Sequence, residues 1–446
     1  MLKSKPVKLT IRGDFWDSHL YSGWLYLFGA DKSLRRIDWE YLIRQQSQLS
    51  AAAIVVNSIF IDAGFLYAYE SQVFLGDSIV HKHVETLIGA LQGVSVEIKN
   101  LDGYAGAYRK DSDSPFPELH TDFEIYHRKM YAGMPEGLYS ANGGLADSSD
   151  LQKLWDAGVY AVKASHSYGT IALAAADEGL WEYDIRATAQ RKRHELTASS
   201  DIRITTQKYC TACDWAEQSI FAWGAGANGF LASFYTQKLV GESRQNRIFD
   251  KAIDARDLHG FEGSDDRVTF WGSHDRAYAL QGDEIAVLDY NPKLVSRQKK
   301  IEQDRTSKKG KGYSLEEDQL LLEGVISPIG SSEKSAGTRL KLNQIDAYSQ
   351  PPVAVSTAPF GTVMQFGDRL LVFRSDGELE EIKGNIVSWK TFPRARNYSN
   401  QLHVIFDDRM EIYTFIHDFF VSQSEKIFGY GIKKNLVSQE KDLHKK

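Results

Sequence analysis

Two short motifs in the middle of the chain have residue types that support chemistry in other proteins. Cys210 and Cys213 form a lone C-x-x-C and are the only cysteines. A redox pair would lie at the start of a helix in a βαβ unit, and a structural zinc site would need two further ligands at a matching spacing. The surrounding sequence shows neither pattern, so we interpret both residues as thiols of a strand or turn.

The second motif is glycine-rich. Gly224, Gly226 and Gly229 fit G-x-G-x-x-G, in which glycines let the backbone approach a pyrophosphate at a helix N-terminus. A helix over residues 230–239 would suit that reading. A dinucleotide site also needs a βαβ unit, and the downstream chain shows strand patterns instead. We therefore expect these glycines to form the turn of a β-hairpin.

Histidine pairs are the remaining candidate ligands. His81 and His83 would share one face of a strand, a spacing that can hold a metal ion, and His120 and His127 form the other pair. No carboxylate or cysteine at a matching spacing completes either set, so we interpret them as surface residues. The chain also lacks G-x-S-x-G, H-E-x-x-H and the phosphate loop G-x-x-x-x-G-K-[ST]. We predict no catalytic residue, no metal and no cofactor.

Cations are concentrated in a polar stretch between residues 291 and 350. Seven of them could contact a partner or neutralise the phosphates of a polyanion, and phosphate binding would weaken steeply with salt. Interleaved acids such as Glu302 and Asp304 favour an ordinary solvated loop. The candidate binding residues are Arg297, Lys299, Lys300, Arg305, Lys308, Lys309 and Lys311.

The elements that must position these residues follow one repeated pattern. An apolar strand, a tight turn with Gly, Asp or Asn, and a second apolar strand recur along the chain, which is the signature of a β-hairpin. A further strand precedes most copies, so the unit has three or four antiparallel strands. The clear copies span residues 23–38, 169–184, 275–289, 361–374 and 401–413, and weaker copies begin near 129 and 219.

The spacing of the copies favours one architecture. Successive hairpins lie about 40 to 56 residues apart, close to the 40–50 residues of a four-stranded propeller blade. One such sheet cannot bury both of its faces, so the copies must stack, and a closed ring leaves few exposed edges. The sequence predicts an all-β protein, a β-propeller with six to eight blades and seven as the central expectation. A β-sandwich or two barrels are the alternatives.

Two intervals are too long for a single blade. The first predicts a short helical insertion near residues 39–53, a buried strand over 54–61, another strand pair over 58–70 and a polar loop over 110–117, and it leaves room for a degenerate blade. The second is a charged inserted arm at 291–350, poor in aromatics. We expect a single propeller domain over residues 1–435 and a polar tail over 436–446.

Composition bounds the class of protein. The chain has 446 residues, a net charge of −6 and 12% aromatic residues, which suits pleated, half-buried surfaces. Residues 49–69 are apolar and long enough to span a bilayer, but Asn57 and Asp62 lie inside them, and a carboxylate there is costly. With few cysteines and no apolar leader, we expect a cytoplasmic protein without a membrane segment.

These observations suggest a function class without a substrate. Repeat architecture, missing catalytic signatures and a long insertion favour a non-enzymatic interaction module, a scaffold or regulatory subunit that binds a partner protein or peptide. One alternative is a hydrolase or lyase with its active site in the propeller channel. The other is binding of nucleic acid or another polyanion through the arm.

Overall fold

A computed structural model describes residues 5–46, 52–67, 69–104, 108–142, 150–166, 168–185, 201–224, 229–238, 245–259, 268–290, 326–328, 338–341, 351–415 and 428–429. The chain is mostly β-strand, and its described strands form seven sheets of four or five strands each. These sheets are the seven blades of a β-propeller, so the predicted fold class and the central blade number are confirmed.

The chain divides into two compact units. The first comprises Met1–Leu119, Gly144–Ser149 and Ala354–Lys446, and the second comprises His120–Gly143 and Asp150–Val353. We number the blades in the order in which their central hairpins occur along the chain. The expectation of one domain over residues 1–435 stays a prediction.

The first unit contains three blades. Blade 1 consists of β2 (Phe15–Tyr21), β3 (Trp24–Gly29), β4 (Ser33–Asp38) and β6 (Tyr108–Asp113). Blade 6 consists of β24 (Ala354–Ala358), β25 (Gly361–Phe366), β26 (Arg369–Arg374) and β27 (Leu379–Lys383). Blade 7 consists of β28 (Ile386–Thr391), β29 (Gln401–Phe406), β30 (Arg409–Thr414), β1 (Val7–Arg12) and β5 (Ser95–Ile98).

The second unit contains the other four blades. Blade 2 consists of β7 (Asp122–Tyr126), β8 (Lys129–Met134), β9 (Gly137–Asn142) and β10 (Gln152–Trp155). Blade 3 consists of β11 (Ala161–Ala164), β12 (Thr170–Ala174), β13 (Leu180–Asp184) and β14 (Ile202–Thr206). Blade 4 consists of β15 (Ala212–Ala216), β16 (Ser219–Trp223), β17 (Gly229–Lys238) and β18 (Gln245–Asp254). Blade 5 consists of β19 (Val268–Ser273), β20 (Arg276–Gln281), β21 (Glu284–Tyr290), β22 (Ile326–Pro328) and β23 (Thr338–Lys341).

The hairpins read from the sequence are the central strands of these blades. Every copy pairs antiparallel as expected, including the two weaker ones, β8 with β9 and β16 with β17. Their turns depend on residues that tolerate left-handed backbone. Gly179 has φ +88°, and a Cβ there would lie 2.2 Å from the carbonyl oxygen of Thr206, so no other residue fits this turn without movement.

The N-terminal strand completes the last blade. β1 pairs antiparallel with β30 over six residues, from Val7 opposite Thr414 to Arg12 opposite Arg409. Val7, Leu9 and Ile11 are fully buried within an apolar cluster of the first unit. Strands from opposite ends of the chain therefore share one sheet, and neither is left as an open edge.

Helices and one short strand, β5, occupy the described residues between β4 and β6. The helices are α1 (Trp39–Arg44), α2 (Ala53–Val56), a π-helix (Asn57–Ile61), α3 (Ala63–Tyr67), α4 (Tyr69–Leu75), α5 (Ser78–Leu91) and a 3₁₀ turn (Leu101–Tyr104). The predicted helix near 39–53 is confirmed at its start by α1. The described residues then end at Gln46 and resume at Ala52. A sixth helix, α6 (Ala255–His259), follows β18.

The predicted strands over 54–61 and 58–70 are wrong. A short apolar run fits a buried strand and a buried helix equally well, so its pattern alone could not decide. Trp39 donates through Nε1 to the Phe60 carbonyl at 2.6 Å, and Asn400 and Gln401 of blade 7 donate to the carbonyls of Ile59 and Phe60, both at 2.9 Å. These side chains satisfy carbonyls at the end of the π-helix, which a strand would have offered to a neighbouring strand.

The rest of this interval also differs from expectation. It holds no degenerate blade among its described residues, because it supplies the last strand of blade 1 and a fifth strand for blade 7. β6 takes in residues 110–113 of the predicted polar loop. β5 runs parallel to β1, with Lys8 opposite Ser95.

The described parts of the inserted arm belong to blade 5. Both β22 and β23 pair antiparallel with β21, at its end and its beginning respectively. The arm therefore supplies the outer strands of a blade as well as an insertion. The polar tail over 436–446 lies outside the described residues.

No helix in the described ranges is both long enough and apolar enough to cross a membrane. Asp62 follows the π-helix, and its exposed carboxylate accepts a hydrogen bond from the Phe65 amide at 3.2 Å. Within the apolar stretch of residues 49–69, the described residues 52–67 form three short helices.

Candidate functional site

Exposed apolar side chains are concentrated where α4 meets α5. Val73 and Phe74 near the end of α4 are 57% and 68% exposed, and Ile79 and Val80 at the start of α5 are 79% and 37% exposed. We call these four residues the helical corner. Single exposed apolar residues are common on proteins, but four of them within eight residues of one turn are more typical of an interaction surface.

Hydrogen bonds fix the turn that carries the corner. The Asp77 carboxylate caps α5 by accepting from the amides of Ile79 and Val80, at 2.9 and 3.1 Å. The His81 ring bonds through Nδ1 to the Leu75 carbonyl at 3.2 Å, and its Nε2 lies 3.4 Å from the Glu85 carboxylate. The corner is thus held in shape before it meets any other molecule.

The opposite end of α5 anchors the corner to the blades. Ile88 and Leu91 are buried, and Val84 and Leu87 pack against the same apolar cluster as β1 and β5. These residues recur at i, i+3, i+4 and i+7, which places them on one helix face. Ile79 lies nine residues before Ile88, about 13 Å along the helix axis. The corner therefore projects from a helix whose far end is fixed in the core.

Several polar contacts elsewhere join neighbouring blades. The first strands of blades 1, 2 and 4 each contain an aspartate: Asp17, Asp122 and Asp214. Each carboxylate accepts a hydrogen bond from the backbone amide of the next residue, at 2.7, 2.9 and 2.8 Å. The same carboxylates then accept from the first strand of another blade. Their donors are Lys390 at 3.0 Å, Lys163 at 2.7 Å and the hydroxyl of Ser273.

A serine and a histidine lie within hydrogen-bonding distance near Asp17. The Ser18 hydroxyl and His403 Nδ1 are 2.8 Å apart, and the two residues are 0% and 1% exposed. Burial lowers the pKa of His403 to about 3, with Lys390 acting in the same direction and Asp17 against it. A substrate cannot reach a fully buried hydroxyl, so this pair stabilises the junction of β2 and β29.

A buried ion pair joins blades 3 and 4. Arg247 bonds to the Glu182 carboxylate, and their side chains are only 9% and 6% exposed. The guanidinium also lies over the ring of Phe234 at 3.3 Å and of Trp215 at 4.8 Å. Burial lowers the pKa of Arg247, against the charge of Glu182. These contacts hold the strands of blades 3 and 4 together.

The motifs singled out in the sequence are structural where the structure describes them. Cys210 and Cys213 are buried free thiols, as expected. Cys210 forms an isolated β-bridge with Ala176, and Cys213 lies in β15. Burial raises the pKa of Cys210 to about 12. Trp223 pairs with Gly229, so the glycine motif joins two antiparallel strands, and residues 230–238 form a strand rather than a helix.

The histidine pairs differ from the expectation. His81 and His83 lie on α5, not on a strand, so they do not share the face that a period of two would give. His120 is buried rather than on the surface, and His127 occupies the turn between β7 and β8 with φ +49°. Across the described ranges, no three His, Cys, Asp or Glu side chains are arranged to hold a metal ion.

All seven predicted binding cations of the arm lie outside the described residues, which resume at Ile326. Their role as a site for a partner or polyanion therefore stays a prediction.

Comparison with known proteins assigns neither a family nor a function to the chain. No protein-family model and no curated protein matches the chain. Among solved structures, the chain is similar to the Cps50 (Swd1) β-propeller domain of Myceliophteria thermophila, with 9% identity, a TM-score of 0.43, and coverage of 91% of this chain and 98% of that one.

Two further solved structures are similar at the same low level. The computationally designed Ika8 protein has 10% identity and a TM-score of 0.40, over 91% of this chain and 99% of that one. A chain of the mitotic checkpoint complex has 8% identity and a TM-score of 0.36, over 66% of this chain and 75% of that one. Identities this low carry no functional argument.

Sequence reasoning missed the helical corner, although a signal was present. Asp77 and Ser78 are good helix caps, and the apolar residues that follow at 80, 84, 87, 88 and 91 have the spacing of a helix. The period-two interpretation of the histidine pair at 81 and 83 concealed this pattern.

Proposed function

We propose that the protein is a non-enzymatic interaction module, a propeller that binds a partner protein and acts as a scaffold or regulatory subunit. The observation that carries the proposal is the helical corner, where four neighbouring apolar side chains face solvent on a fixed turn. Leaving such a surface in water is unfavourable, and contact with another protein removes that cost.

The described polar clusters support the same proposal. The Ser18–His403 pair and the Arg247–Glu182 pair are the most chemically suggestive contacts, and both are buried between strands. Charged and hydroxyl groups used in this way add to the stability of the blades rather than to a reaction. A hydrolase or lyase site in the channel and a polyanion site on the arm stay predictions.

Purification from the source organism tests the proposal. Full-length tagged protein is isolated gently from its own cells, and its mass is measured by light scattering after size exclusion. We expect a complex heavier than the 50.3 kDa chain, with one other protein in a fixed ratio. Recovery of the chain alone under all gentle conditions would contradict the proposal.

A further inference from the structure

The helical corner has the size of a particular class of interface. We propose that it docks into an apolar groove on a separate protein and forms a non-obligate complex, an inference that rests on the proposed function. The partner surface is a cleft that accepts Phe74 and Ile79 and carries basic groups at its rim, which complement the Asp77 carboxylate. The area of the corner, its charge and its fixed geometry each support this assignment.

The exposed parts of the four corner side chains amount to roughly 400 Å² of apolar surface. A standard interface buries about 800 Å² on each partner, a little over half of it apolar. The corner therefore supplies the apolar share of one such interface. An obligate dimer buries more than about 1,000 Å² on each chain and is more apolar, so the corner is too small to be its core.

Charge favours a protein groove over a lipid surface. Residues 69–91 contain three carboxylates, Glu70, Asp77 and Glu85, against one lysine, Lys82. Peripheral helices that bind anionic membranes place several lysines or arginines beside their apolar residues. Here the Asp77 carboxylate that caps α5 lies within the corner, which opposes insertion among anionic headgroups.

Fixed geometry makes the corner suitable for binding. The Asp77 cap and the bond from His81 to the Leu75 carbonyl already hold the two helix ends together. Little conformational entropy is then lost on docking, so most of the buried apolar area contributes to affinity. Phe74 is the natural anchor, since aromatic side chains dominate the centres of interfaces.

A photo-crosslinking experiment on the full-length chain tests the inference. The probe is p-benzoylphenylalanine placed at position 74, irradiated in an extract of the source cells. The crosslinked protein is sequenced, purified and titrated against the unmodified chain. Phe74→Asp and Ile79→Asp should each raise Kd at least tenfold. Val353→Asp is the matched control because Val353 is an equally exposed aliphatic residue, at 73%, and should change Kd less than twofold.

The outcomes separate the two proposals. A groove peptide crosslinked at position 74, with the expected loss of affinity, supports the inference. A stoichiometric partner whose Kd is unchanged in both Asp variants overturns it and leaves the proposed function standing. Crosslinking to a second copy of the chain, or sedimentation of the purified chain with phosphatidylcholine–phosphatidylserine vesicles, also overturns it. Absence of any partner overturns both. Circular dichroism confirms that the variants, altered only at exposed positions, remain folded.

Discussion

At the scale of single residues, His403 links the stability of the protein to pH. Its ring is fully buried beside Ser18, and its pKa falls from 6.5 to about 3 in the folded chain. Between these values the unfolded state binds the additional proton. The contribution of this group to stability is therefore complete above pH 6.5 and is lost as the pH falls towards 3.

Replacing His403 should flatten the acid side of the stability profile. From about pH 6 to pH 4, the imidazole costs the native state up to about 1.4 kcal/mol for each pH unit. His403→Asn, which keeps a hydrogen-bonding atom near Nδ1, should remove this part of the slope. Urea unfolding at pH 7.0, 5.5 and 4.5 measures it, with exposed His83→Asn as the control. Equal slopes for wild type and His403→Asn would show that the ring is not buried as described.

The ion pair between blades 3 and 4 should be sensitive to the loss of one partner. Glu182→Ala leaves the Arg247 guanidinium buried without a counter-charge, and we expect a loss of about 3–5 kcal/mol in the free energy of unfolding. The double variant Glu182→Leu with Arg247→Met removes both charges and should lose less free energy of unfolding than Glu182→Ala. Asp254→Ala breaks the exposed pair with Lys208 and serves as control, at under about 1 kcal/mol. If Glu182→Ala destabilises the protein no more than Asp254→Ala does, this account is contradicted.

At the scale of elements, the cap of α5 decides the shape of the helical corner. Asp77→Ala removes the acceptor for two amides and should cost about 1 kcal/mol locally, because an uncapped first turn frays. Hydrogen exchange should become faster at residues 79–81 and stay unchanged near Leu91. Asp77→Asn retains an acceptor and should behave as wild type. Unaltered exchange in Asp77→Ala would show that the cap does not hold the corner.

Elements also differed in how well they could be read from the sequence. The hairpins were read correctly because turn residues and alternation act within about ten residues of chain. The interval after β4 was misread because Val55, Ile59 and Phe60 are buried on all sides. A helix enclosed in this way loses the amphipathic period that identifies a surface helix.

At the scale of the whole molecule, β1 joins the beginning of the chain to its last blade. Leu9→Ala should destabilise the protein by about 2–5 kcal/mol, because it opens a cavity in the cluster shared by β1, β30 and α5. Lys8→Ala is the neighbouring control. Its amine lies 3.3 Å from Glu411 in a partly exposed pair, and it should cost less than about 1 kcal/mol. Chemical unfolding measures both, and equal effects would mean that β1 is not a core strand.

The sequence alone determined the all-β class, the seven hairpins and the absence of recognised catalytic motifs. Each depends on neighbours in the chain: side-chain alternation, turn residues and a repeat length that demands stacking. The same local rules identified Cys210, Cys213 and the glycine motif as parts of strands and turns.

Only the tertiary structure decided which apolar residues remain outside the core. Val80 and Leu91 are apolar residues on the same face of α5, eleven residues apart, yet Leu91 is buried against blade 7 and Val80 is exposed. Likewise, β1 pairs with β30, some 400 residues away in the chain, and Glu182 of blade 3 pairs with Arg247 of blade 4. Exposure and pairing are relations between distant segments, and periodicity within one segment does not encode them.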